Sequence, residues 1–160
     1  MPGRTPLLQN NPTEPSSEIR SLRARLQDVI ADTDDSTLAP LMEALKPLEM
    51  KMLKPPEAGL IMMKVKSSHG TVFHLGEVLV TQAQVIFLDR TGYGCCIGER
   101  IDGAVALACL DALGWTAHPG RIDGIQSAIH RICQEVLRKR ESEAQIAAVT
   151  QVDFRSMAEE

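Results

Sequence analysis

The segment "ERIDGAVALACLDALG" (residues 99–114) constrains this chain more than any other. Its apolar residues run almost all the way round a helix, and such a helix is stable only when it is buried. Gly114 marks its end. The segment is therefore read as the central buried helix. What can surround it is aliphatic: 44% of the 160 residues are apolar but only 3% are aromatic, namely Phe73, Phe87, Tyr93, Trp115 and Phe154. The core has to be built from Leu, Ile, Val, Ala and Met.

The elements before it fall into two groups. Residues 1–17 carry four prolines among Asn, Ser and Thr, and are expected to be a disordered leader. From Glu18, Ile19, Leu22, Leu26, Val29 and Ile30 recur at helical spacing. "DTDD" (32–35) ends that helix and starts a second, faced by Leu38, Leu41, Met42 and Leu45. Pro40 suits a first turn and Pro47 ends the helix, so an N-terminal helical hairpin is predicted. "LKPPEAG" (53–59) is expected to be a linker, because consecutive prolines hold the chain extended.

The period then changes to that of strands. Residues 59–68 and 71–77 flank a turn at His69–Gly70. Residues 78–89 alternate, with Leu79, Ala83, Val85 and Phe87 expected on one buried face and Gln82 and Gln84 on the other. "RTG" (90–92) is expected to turn the chain into a short strand over 93–98. After the central helix comes a loop (115–120), then a helix over 121–140 that extends to about Val149. The expected fold class is α+β: an N-terminal helical hairpin, a small mainly antiparallel sheet and C-terminal helices. A single domain is predicted over 18–149, with a C-terminal tail at 150–160.

Bulk properties exclude several classes of function. A net charge of −4 gives no electrostatic basis for nucleic-acid binding, and scarce aromatics argue against stacking on single strands. No apolar run reaches the ~20 residues that span a bilayer, and the N-terminus lacks a signal-peptide pattern. A cytoplasmic location is expected, with Cys95, Cys96, Cys109 and Cys133 reduced.

The motif that most resembles a site is "TGYGCCIGERIDGA" (91–104). Gly92, Gly94 and Gly98 spell GxGxxxG between a strand and a helix, the context of a phosphate loop. The spacing is one residue longer than the dinucleotide fingerprint, the neighbouring strands read as hairpins, and Glu99 would repel a phosphate. A structural turn is the simpler reading. Cys95 and Cys96 point to opposite faces of a strand and cannot easily share a metal. His69, His74, and the pair His130 and Cys133 form no ligand pattern of recognised spacing. Glu99, Asp102 and Asp111 fit helix-dipole partners as well as acid–base groups, and Arg138–Arg140 fits a solvated helix end. Val152 and Phe154 stand apart as large apolar groups in a polar tail, which suits docking.

From Pro55 to Leu113, and again at Val152–Phe154, the sequence resembles the PhnG family of the bacterial carbon–phosphorus lyase system. The resemblance rests on Glu57-Ala58-Gly59, Gly76-Glu77, Thr81-Gln82-Ala83-Gln84-Val85, Gly94 to Gly98 with Glu99-Arg100, Leu110-Asp111-Ala112-Leu113, and Val152-Asp153-Phe154 with Met157. Three departures stand out. Ala58 replaces the usual Thr, Gln82 and Gln84 replace an Arg-containing pattern, and Glu99-Arg100 stands where Arg-Asp is typical.

The resemblance implies a required but non-catalytic subunit supporting formation of α-D-ribose 1-methylphosphonate 5-triphosphate from ATP and methylphosphonate. Its partners would be chiefly a PhnI-type nucleosidase subunit, and also PhnH- and PhnJ-type subunits. No catalytic, cofactor-binding or metal-binding residue is carried over, and ATP would be substrate of the assembled complex rather than a cofactor of this chain. Candidate partner-binding residues are Glu57, Glu77, Glu99, Arg100, Val152, Asp153 and Phe154. The alternative is a free-standing nucleotide-binding enzyme using the Gly92–Gly98 loop.

Overall fold

A computed structural model describes residues 17–114 and 122–150. Residues 1–16 of the expected leader, the loop at 115–120 and residues 151–160 of the expected tail, with Val152, Asp153 and Phe154, lie outside the described residues, whereas Ser17, the last residue of the expected leader, opens the first helix. Helix α1 (Ser17–Val29) buries Ile19, Leu22, Leu26 and Val29, the stripe that the spacing marks. A 3-10 turn over Ile30–Asp32 leads to α2 (Asp35–Leu45), which buries Leu38, Leu41 and Leu45. Asp34 caps α2 by accepting a hydrogen bond from Thr37 N at 2.7 Å. The hydroxyls of Thr37 and Ser36 also bond that carboxylate and hold its pKa well below the usual range. Pro40 stands in the second turn of α2, not the first.

Three strands follow, β1 (Lys51–Lys66), β2 (Val72–Phe87) and β3 (Arg90–Ile97), in an antiparallel sheet of order β1-β2-β3. Helices α3 (Ile101–Gly114) and α4 (Ile122–Val149) complete the chain. α3 packs on β2 and β3 with one side and on α1 and α2 with another, while α4 packs on α1 and α2. Among the described residues, the helices thus cover one face of the sheet. α3 buries ten of its residues, from Gly103 to Gly114, as an all-round apolar helix must. The α+β class, helical hairpin, antiparallel sheet and C-terminal helices are as expected.

Four expectations within the sheet are corrected. The segment 53–59 is not a linker but part of β1, where the register shifts between Lys54 and Glu57. Prolines cannot donate to a ladder, yet an edge strand with a bulge tolerates them. Residues 71–77 and 78–89 form one strand, β2. The turn after it is Leu88–Asp89, with Leu88 at φ 53°, so Thr91 and Gly92 already belong to β3. Glycine suggested a turn there; its role in β3 is different. Leu79 is also misassigned. It shares the inward phase of Ala83, Val85 and Phe87 but is 42% exposed. Burial on that face starts at Thr81, so the helices do not reach as far as Leu79.

Candidate docking surface

The glycine segment faces a helix. A Cβ on Gly94 would lie 2.6 Å from Ala108 N and closer still to Ala104 O, and one on Gly92 would lie 2.7 Å from Ala112 Cβ. Real side-chain atoms do not come that near to backbone. Ala104, Ala108 and Ala112 repeat every fourth residue along one side of α3, so small residues on both elements let strand and helix approach.

The junction beyond them is engaged by the protein at Gly98 and Arg100. Gly98 N donates to Leu79 O at 2.8 Å. Thr81 Oγ1 donates to Gly98 O at 2.7 Å and accepts from Arg100 N at 2.9 Å. A phosphate loop needs free amides at this place, and two of them, Gly98 N and Arg100 N, have partners within the chain.

Arg100 points into the body. Its guanidinium donates to Ile30 O at 2.5 Å and Ala31 O at 2.9 Å, satisfying carbonyls where α1 ends. Its neighbour Glu99 is exposed. Asp111, weighed as an acid–base group, accepts from Tyr93 N at 3.0 Å and pairs with Arg23 Nε at 3.6 Å. Arg23 Nη2 in turn donates to Tyr93 O at 3.3 Å. Together they occupy the outer backbone edge of β3, a common way to close an edge strand.

The cysteines divide as the strand phase requires: Cys95 is exposed and Cys96, Cys109 and Cys133 are buried and free. Burial pushes the Cys96 and Cys109 thiols up to about 11. His130 lies 2.9 Å from Gln134 Nε2 and 3.4 Å from Arg25 Nη2. Among the described residues, no group of three His, Cys, Asp or Glu side chains could hold a metal ion.

The large uncovered surface is elsewhere. β1 contains no buried residue along its whole length. Its distal half pairs with Val72–Leu79 as a two-stranded arm outside helix cover, and Leu60, Ile61, Met62, Val72, Phe73, Leu75 and Leu79 are all exposed large hydrophobics. Register assigns them to faces. Ile61 opposes Val78, Met63 opposes Gly76 and Val65 opposes Phe73, all on the outer face away from the helices. The bulge between Met63 and Lys64 inserts Leu75 into β2, beside Gly76 at φ 136°.

The inner face of the arm carries Leu60, Met62, Lys64 and Lys66 opposite Leu79, Glu77, His74 and Val72. All charges of the distal arm therefore lie on one face. The other is an apolar band of Ile61, Met63, Val65, Phe73 and Val78, in which Ile61 and Phe73 are exposed and the rest half-buried; at its end Val80 is buried, and its neighbour Ile97 on β3 is exposed.

Glu57 and Glu77 are both exposed on this hairpin, on opposite faces. Glu57 lines a notch of about 250 Å³ at the proline bulge, together with Lys54, Gln82 and Gln84. The structure thus brings Glu57 beside two of the positions where the sequence departs from its resemblance. It separates these residues from Arg100, which is committed to the helices. The apolar band was missed in the sequence, although "GLIMMKV" signals it: the run does not alternate, so both phases of a strand are apolar.

A second projection is the end of α4. Beyond Val136 no residue of the helix is buried; Leu137, Ile146 and Val149 are 57%, 66% and 87% exposed. Only Arg140 in this stretch is tied back, to Asp32 at 2.6 Å and to Asp28 O at 3.0 Å.

With this geometry in view, comparison with known proteins gives one result. A family model described as PhnG, phosphonate metabolism protein PhnG, matches residues 21–159. No curated protein is found to match the chain.

Proposed function

This chain belongs to the PhnG family of phosphonate metabolism proteins, and from that premise we propose that it is a required, non-catalytic subunit of the carbon–phosphorus lyase assembly. In this reading it supports formation of α-D-ribose 1-methylphosphonate 5-triphosphate from ATP and methylphosphonate. It docks chiefly on a PhnI-type nucleosidase subunit, with PhnH- and PhnJ-type subunits in the same complex, in the cytoplasm. ATP is handled by the assembly, and this chain binds no cofactor of its own.

The observation that carries the reading is the apolar outer face of the hairpin. A lone two-stranded ribbon is marginally stable in water. Contiguous apolar surface of this kind marks an interaction site in a protein otherwise able to bury its core. The glycine segment, the feature most like a nucleotide site, is used to join β3 to α3. The test is reconstitution: the nucleosidase-type subunit and its companions are assayed for the triphosphate product with and without this chain. Product formation is expected only with the chain present. Full activity without it, or ATP turnover by this chain alone, would overturn the proposal.

A further inference from the structure

A sheet grows only at its edges, and the two edges of this one are unlike. The β3 edge is occupied at Tyr93 by Asp111 and Arg23. Among the described residues the β1 edge is open, and beside it Lys64 and Lys66 make no ion pair. Their directly opposed neighbours on β2 are His74 and Val72, and Glu77, which opposes Met62 on the same face, makes no ion pair with either lysine.

We propose that the free edge of β1 from Ala58 to Lys66 accepts an extended segment of a partner protein as a fourth strand. That segment carries two carboxylates two residues apart, which lie against Lys64 and Lys66, and apolar residues against Ala58–Met63. Main-chain hydrogen bonds supply the affinity of such strand addition, and alternate side chains supply its specificity. The inference rests on the reading of this chain as an assembly subunit and specifies what its partner presents.

A second copy of this chain suits the edge poorly. In a two-fold antiparallel pairing, directly opposed residues share a face of the continued sheet. Lys64 and Lys66 lie on the inner face and Glu57 on the outer. Glu57 can therefore never oppose either lysine. Any register that overlays the two apolar stretches leaves the lysines against Ala58, Leu60 or Met62, or against Pro56. Lysine on an edge strand disfavours self-pairing in this way, while a heterologous acidic strand gains from it.

The test titrates the isotope-labelled full chain with two synthetic nonapeptides. One alternates Val and Thr around a central Glu-Val-Glu; the other has Lys at both Glu positions. The expected result is slowed amide exchange confined to residues 58–66 with the acidic peptide. Binding should be about tenfold weaker with the basic one, the size expected when two cross-strand pairs turn from attraction to repulsion. Doubly substituted Lys64→Glu/Lys66→Glu protein should reverse the preference. Equal binding of both peptides, no binding of either, protection on β3, or dimerisation of the free chain through β1 would overturn the inference. Should the chain assemble with its phosphonate-system partners while the β1 amides stay exchangeable, strand addition fails and the subunit reading stands. The peptide titration itself does not depend on that reading.

Discussion

The β3–α3 contact and the β1–β2 arm are built from similar apolar sequence and put it to opposite use. In the first, Gly92 and Gly94 meet Ala104, Ala108 and Ala112, and side chains are small because two backbones have to approach. In the second, Ile61, Met63, Val65 and Phe73 are large, Ile61 and Phe73 are exposed, and among the described residues no helix covers them. Each arrangement is intelligible from what lies opposite. A buried strand next to a helix gains from close packing, and an uncovered one gains only if another molecule arrives. The body packs its own apolar residues, whereas the arm, in the function proposed above, is half of an interface.

Substituting glycine in each region exposes the contrast most sharply. Gly94→Ala forces a methyl group into the backbone of α3 and is expected to cost ~4 kcal/mol or more, read as loss of the folded chain in a urea titration. Gly59→Ala, where a Cβ meets nothing within 4 Å, should stay within ~0.5 kcal/mol of the parent. Comparable costs at the two sites would break the comparison.

Polar substitution in the arm should act on binding instead of folding. Val65→Ser with Phe73→Ser is expected to weaken association with the nucleosidase-type partner by ~2 kcal/mol, measured by calorimetry, with a much smaller shift in the free chain's stability. Phe154→Ala in the tail should act in the same direction, by ~2 kcal/mol, if the tail is an anchor as proposed. Arg100→Met removes both bonds to the Ile30 and Ala31 carbonyls. It should cost ~1–2 kcal/mol of stability and leave partner affinity unchanged.

The mildest probe is thiol labelling. A raised pKa keeps a thiol protonated at neutral pH and so unreactive. With Cys96 and Cys109 at about 11, and both buried, an alkylating agent at pH 8 should modify Cys95 in the folded chain. Cys96, Cys109 and Cys133 should react only on unfolding. Early labelling of Cys96 would mean that β3 separates readily from α3.

The helices were legible in the sequence because each has one stripe at the 3.6-residue period, or, in α3, none of its faces polar. The strands were legible as strands but not in their extents. Pro55-Pro56 reads as a break, yet the edge position of β1 and a bulge absorb the missing donors. Gly92 reads as a turn, yet the turn is Leu88–Asp89, and the glycine is set by a helix distant in sequence. Leu79 shows the same dependence on tertiary context, since alternation gives its phase but not where helix cover stops. Among the candidate site residues, Glu57 and Glu77 fall on the exposed hairpin and Glu99 at an exposed junction. Arg100 looked like a surface charge because nothing local announces the carbonyls of Ile30 and Ala31, about seventy positions away.

Hydrogen exchange on the chain alone and within its assembly tests the central claim most directly. The account predicts that α3 and β3 are protected in both states, while residues 57–66 and 72–79 exchange readily in the free chain and slow on assembly. An arm that exchanges equally in both states, with new protection confined to the helical body, would contradict it.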